Sequence, residues 1–211
     1  MITLEPILFC WSGGKDSAMA LHILLQQKQF RVAALLTTVT EGRVPGFVLA
    51  NPGSTEDRIA MHGVRRELLH RQAESLNLPL HEVCIPPQCV NPIYEARMEQ
   101  ALRFFYNQGV RKVAFGDVFL EDLRAYRETN LARIGMTALF PLWKRDTREL
   151  IRYFHEHHFR AIAACVDSKA LDPCFAGPIF QSPIPVRTGD IVNRDGFVFC
   201  DLLPQLEEAT K

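Results

Sequence analysis

Two serines, a lysine and an aspartate crowd around a pair of adjacent glycines in Ser12-Gly13-Gly14-Lys15-Asp16-Ser17. Glycine tolerates positive φ and leaves no Cβ between backbone N–H groups and a bound oxygen. Lys15 adds a cation, and Ser12 and Ser17 add hydroxyl donors. The chemistry these residues share is the binding of an anion with several oxygens, and a phosphate chain fits it. The plain alternative is an ordinary glycine-rich turn.

A second set lies about a hundred residues on. Gly116-Asp117 is followed by Glu121, Asp122, Arg124, Tyr126, Arg127 and Glu128. A carboxylate facing a phosphate loop suits holding Mg²⁺ or accepting a proton. Arg124 or Arg127 suits bidentate contact with a phosphate or carboxylate. Arg124 and Glu128 also have the i,i+4 spacing of a plain solvent-facing charge pair, which is the preferred reading of Glu128. Thr37-Thr38 and His62 are further candidates near the same place, His62 with a structural role as an equal alternative. His155, His157 and His158 lack the i,i+4 pair of a zinc helix, and their place near a helix C-terminus explains them. The sequence singles out no metal ligands.

For these groups to meet, the chain must set them at one edge of a sheet. The apolar run Ile7-Leu8-Phe9-Cys10-Trp11 precedes the glycine loop, and Ala18, Leu21 and Leu25 follow at helical spacing. A strand feeding a helix N-terminus offers free N–H groups and the positive end of the helix dipole. Residues 32–39 form a continuous apolar run, as buried parallel strands do. Further strands are expected at 80–85, 113–115, 138–143 and 160–166. Helices are expected at 16–27, 57–77, 121–134 and from Asp146 to His158, with another from Asn91-Pro92 to Gly109, Asn91 as its cap. The stripe Tyr94, Met98, Ala101 and Phe105 reads as core. Such alternation makes an α/β, doubly wound parallel sheet with right-handed crossovers, in which strand C-termini share one edge. Residues 40–56 are long for a strand-to-helix connection, and a flap over the ligand or a plain insertion fits them equally. From residue 179, short strands and the turn at 193–196 point to a small β appendage. The domains expected are 1–174 for the ligand-binding part and 175–211 for the appendage.

The chain has 211 residues, 24 basic against 24 acidic, and 47% hydrophobic residues. That is enough for one α/β domain with a sizeable core. Formal neutrality gives no steering toward nucleic acid or an anionic membrane, so a nucleic-acid partner is disfavoured. The start has no signal-peptide pattern, and no apolar run reaches membrane-spanning length. Six scattered cysteines match neither a zinc knuckle nor a redox pair and suit a reducing compartment. A cytoplasmic enzyme is expected, and a homodimer is compatible with it.

The Walker loop needs four residues between its glycines, and Gly-x-Gly-x-x-Gly is absent from this turn. Ser-Gly-Gly-x-Asp-Ser instead resembles the loop of the N-type ATP pyrophosphatases, within the adenine nucleotide alpha-hydrolase-like superfamily. Residues 57–64 (Asp-Arg-Ile-Ala-Met-His-Gly-Val), residues 115–122 with Tyr126-Arg127-Glu128, and Phe140-Pro141-Leu142-Trp143 narrow the likeness. Together they resemble the diphthine–ammonia ligase family of PP-loop proteins, over most of residues 6–174. The resemblance implies a Rossmann-like sheet of HUP type that binds ATP with Mg²⁺. It implies adenylation of a small-molecule or protein-borne carboxylate, attack by ammonia, and release of AMP and pyrophosphate. On that reading residues 12–17 hold the phosphates, with Lys15 also catalytic beside Asp117. Gly116 and His62 border the nucleotide, Thr37 or Met61 lines the adenosine pocket, and Glu121, Tyr126 and Arg127 take the acceptor. One departure stands out. After Asp172-Pro173-Cys174 the family carries a Gly-Glu-Asn-Gly-Glu-Phe-His-Thr-like segment on the acceptor side, whereas here the chain runs directly into Phe175. Two other functions fit parts of the pattern: an ATP- or AMP-binding sensor without catalysis, and a tRNA-modifying adenylase, which neutrality of charge disfavours.

Overall fold

The computed structural model describes residues 4–40 and 65–177, and the backbone alone of 179–180, 186–194 and 197–204. Met61, His62 and residues 41–56 lie outside the described residues. Strand β1 (Glu5–Cys10) leads into helix α1 (Lys15–Gln26), then β2 (Phe30–Thr40), α2 (Arg66–Ser75) and β3 (Leu80–Ile85). Helix α3 (Asn91–Asn107), β4 (Lys112–Ala114), α4 (Glu121–Ala132), β5 (Thr137–Leu139) and α5 (Thr147–Glu156) follow. The five strands pair in the order β3-β2-β1-β4-β5, all parallel. This is the doubly wound sheet that the alternation of apolar runs and helical stripes predicts.

Period-two alternation in β1 makes both faces. Ile7 and Phe9 point to one side, where Met19, Leu21 and Leu24 of α1, Leu69 and Ala73 of α2, and Leu150 and Phe154 of α5 pack. Leu8 points to the other, against Ala101, Leu102 and Phe105 of α3 and Leu131 of α4. Ile7, Leu8 and Phe9 are fully buried, and each such side chain contributes about 1.5–3 kcal/mol. A strand buried on both faces has to read as a continuous apolar run, and β1 does.

The helix ends follow local chemistry. Asp146 caps α5, its Oδ1 accepting from the N–H groups of Arg148 (2.8 Å) and Glu149 (3.2 Å). Gly109 and Gly135 close α3 and α4 at φ of 89° and 75°. Asn91 is not the cap of α3: it is the first helical residue, Val90 takes the cap position, and no side chain caps the end.

The expected sixth parallel strand is a second correction. Residues 161–162 (β6) and 165–167 (β7) are separate short strands. Strand β6 pairs antiparallel with β8 (Ile179–Phe180), and β7 pairs antiparallel with β10 (Phe197–Pro204). Strand β10 in turn forms a hairpin with β9 (Val186–Arg194). Residues 160–166 are apolar enough for a central strand, but their hydrogen-bonding edges are met by the C-terminal strands instead.

Candidate nucleotide site

In the order β3-β2-β1-β4-β5 the chain reverses direction of winding between β1 and β4. Ligands of open α/β sheets bind in the crevice outside the strand ends at that point. The glycine loop follows β1 and Gly116-Asp117 follows β4, so the two sets flank this crevice.

The loop is built from its own side chains. Gly13 takes φ of 73°, which an L side chain rarely adopts. Gly14 is the extended residue capping α1, and its carbonyl accepts the N–H of Ala18 at 3.1 Å. Ser17 is buried, and its Oγ lies 2.6 Å from Ser12 Oγ and accepts the Ser12 N–H at 3.2 Å. The Gly14 N–H reaches Ser12 Oγ at 3.4 Å, a long and weak contact. Lys15 Nζ meets Asp16 Oδ1 at 2.5 Å, with both side chains well exposed. The cation is thus at the mouth of the loop, paired with a neighbour rather than locked in the core.

Beside it, the β4 end approaches very closely. A Cβ on Gly116 would stand 3.0 Å from Ser17 N and 3.1 Å from the carbonyl carbon of Asp16. Only glycine permits that contact of two backbones. Asp117 then faces Arg127 of α4, Oδ2 to Nε, at 3.3 Å. Both atoms are buried and neither makes a hydrogen bond among the described residues, so the pair is an ion pair without hydrogen-bond alignment. Burial pushes the Asp117 carboxyl above its usual range; Arg127 draws it back and Asp16 raises it further. Two carboxylates, Asp16 and Asp117, therefore feel each other across the crevice. The Arg127 guanidinium also covers the Phe115 ring at 4.2 Å. Burial pushes the Cys10 thiol up to about 12, against the opposing pull of Arg127, which disfavours its thiolate.

Thr37 is buried on β2, one residue past Leu36, whose carbonyl accepts the Trp11 N–H at 2.8 Å. It therefore sits level with the start of the loop. Tyr126 donates its hydroxyl to Glu95 Oε1 of α3 at 3.0 Å. Glu121 is on another face of α4, paired with Lys144 at 2.7 Å with both side chains exposed. Of the three residues expected at an acceptor, Arg127 meets Asp117, Glu121 meets Lys144 and Tyr126 meets Glu95. Arg124 pairs with Glu128 at 2.8 Å and lies over the rings of Phe140 and Trp143, as the surface-pair reading expects for Glu128. Among the described residues no group of three or more His, Cys, Asp or Glu side chains could hold a metal alone.

One residue escapes a sequence reading altogether. Gln72 of α2 accepts the Trp11 indole N–H at 3.0 Å and donates Nε2–H to the Gly13 carbonyl at 3.2 Å. Nothing in the exposed-looking pattern of α2 marks it.

The sequence model of the diphthamide synthase N-terminal domain matches residues 7–138, more than half of the chain. The chain belongs to this family. The match begins within β1, spans the glycine loop, β2 to β4 and Gly116-Asp117, and ends within β5. As a member of the diphthamide synthase family the chain is a PP-loop protein of a nucleotide-binding superfamily. No curated protein matches it. Among solved structures it is similar to the U34-tRNA thiolase NcsA from Methanococcus maripaludis with its 4Fe–4S cluster, at 13% identity and a TM-score of 0.39. That similarity covers 75% of this chain and 58% of the thiolase. Among the described residues no helix is long and apolar enough to cross a membrane.

Proposed function

We propose that this diphthamide synthase family member is an ATP-dependent, amide-forming ligase. A carboxylate acceptor attacks the α-phosphate of ATP to give an acyl adenylate and pyrophosphate. Ammonia then displaces AMP from the acyl carbon, giving the amide and a proton. The observation that carries this reading is the contact of Gly116 with the Asp16–Ser17 backbone, which sets a carboxylate and an arginine against a phosphate-type loop.

The residues divide the work. Backbone N–H groups of 13–17 and Lys15 would hold the β- and γ-phosphates and stabilise the charge that builds on departing pyrophosphate. Ser12 and Ser17 hydroxyls, now bonded to each other, would turn to phosphate oxygens. Asp117 Oδ2 is buried without a hydrogen-bond donor, and Asp16 adds a nearby carboxylate, so the pair suits Mg²⁺. When bound, Mg²⁺ would neutralise phosphate charge. Arg127 would meet the acceptor carboxylate once Asp117 is otherwise occupied. Thr37 borders the side of the loop where the adenosine would lie.

The test is α-labelled ATP with Mg²⁺, ammonium and a panel of carboxylates, separating AMP from ADP. AMP formed only with an acceptor supports the ligase and begins to name its substrate. Tight ATP binding with no AMP under any condition overturns it in favour of a sensor. One observation favours that second reading: Asp172 caps a tight turn at Pro173–Phe175, its Oδ1 accepting the Cys174 N–H at 2.8 Å, where the family's acceptor-side segment is absent.

A further inference from the structure

We infer that Gln72 is a positioning residue of the phosphate loop, an amide clamp that aims the Gly14 N–H into the anion site. The Trp11 indole N–H is a donor and nothing else. Because it bonds one end of the Gln72 amide at 3.0 Å, that end must be the carbonyl Oε1. The NH₂ end is then forced toward the loop, where it meets the Gly13 carbonyl at 3.2 Å. Trp11 is buried on the first residue after β1, and its own N–H is tied to Leu36 of β2. The amide is therefore oriented by a group that cannot move without disturbing the sheet.

The consequence lies on the other side of one peptide plane. In a trans peptide the C=O and the following N–H point in opposite directions. Holding the Gly13 carbonyl toward α2 turns the Gly14 N–H away from α2, to the side where the Ser12 hydroxyl sits 3.4 Å off. That long contact leaves the Gly14 N–H nearly free for a better acceptor, such as a phosphate oxygen. The fit is tight: a Cβ on Gly13 would stand 2.8 Å from Gln72 Oε1. Gly13 thus needs to be glycine both for its φ of 73° and for the room that Gln72 takes. Without the clamp, the 13–14 peptide is free to turn over, and the donor is lost to the site.

This inference rests on the nucleotide reading above, and the experiment separates the two. Peptide-level hydrogen exchange over residues 8–18 is measured without ligand, and Mg–ATP and inorganic pyrophosphate are titrated, for the parent, Gln72→Met and Gln72→Glu. A Trp143→Phe background leaves Trp11 as the reporting indole. Gln72→Met removes both hydrogen bonds at similar length. It should speed exchange across the loop, shift Trp11 emission, weaken Mg–ATP about tenfold, and lower the melting temperature by a few degrees for the indole N–H left unpaired. Gln72→Glu keeps the indole bond but sets a carboxylate against the Gly13 carbonyl. Its Trp11 emission should stay near the parent's while ATP weakens by at least as much. Parental exchange and parental affinity in Gln72→Met would overturn the clamp. If the parent binds neither ATP nor pyrophosphate, the nucleotide reading fails, and unchanged or faster loop exchange alone still decides against or for the clamp.

Discussion

At the residue scale, a few atoms shape the crevice. Gly116 has no room for a Cβ, since the obstacle is the backbone of Asp16 and Ser17 rather than a flexible side chain. Gly116→Ala should cost about 1–3 kcal/mol of stability by overpacking, and it should weaken ATP binding because the loop is what must yield. Thermal unfolding and ATP titration check the two effects. Lys15→Ala removes a charge-assisted phosphate contact worth about 1.5–3 kcal/mol. Its exposed pairing with Asp16 contributes little to the fold, so ATP affinity should fall while the melting temperature holds. The Asp117–Arg127 pair is different, because both atoms are buried and lack hydrogen bonds. Removing one partner leaves the other charge buried alone. Asp117→Asn should therefore abolish Mg²⁺-dependent turnover, and restoring charge balance with Asp117→Asn/Arg127→Gln should recover stability without activity.

At the element scale, α2 matters more than its composition suggests. It carries Gln72, and it is fixed to β3 by Arg66 and His70, which both meet Glu82. Burial alone would raise the Glu82 carboxyl, but the Arg66 hydrogen bond and charge, with His70, hold it below the usual range. The unfolded chain then binds this proton more readily than the folded one. The stabilisation is complete above the unfolded value, about 4.3, and is lost as the pH falls through the lower folded value. Glu82→Gln should remove that acid dependence and lower stability at pH 7 by about 1–2 kcal/mol, measured by urea unfolding across pH 2–7. Strand β1, the glycine loop and α1 are legible in sequence because each obeys a local rule: a two-faced apolar run, a positive-φ glycine, a helix stripe. Gly116-Asp117 is legible as a strand end with a carboxylate. Gln72 is not, because its partners Trp11 and Gly13 lie about sixty residues away and its hydrogen bonds depend on how α2 docks. Residues 160–166 mislead for the related reason that an apolar run does not say which edge it will pair with. Tyr126 and Glu121 share a helix with Arg127, but the partners each one takes, Glu95, Lys144 and Asp117, depend on how α4 docks.

At the scale of the whole molecule, the parallel sheet closes its pairings within β1 to β5, while β6 and β7 rely on β8 and β10. Ending the chain after Cys174 should leave β6 and β7 without partners yet keep the five-stranded sheet. Retained ATP binding with a lowered melting temperature is the expected outcome. The winding reversal between β1 and β4 brings a phosphate-type loop and a buried carboxylate–arginine pair to one crevice, and the central claim is that this crevice adenylates a carboxylate. Exchange of labelled pyrophosphate into ATP tests that claim most directly, because it needs the first half-reaction to run backwards and needs no ammonia. Label should enter ATP only when Mg²⁺ and a carboxylate acceptor are both present, and not with Lys15→Ala or Asp117→Asn. Release of ADP and phosphate from ATP, with no pyrophosphate exchange for any acceptor, would contradict it.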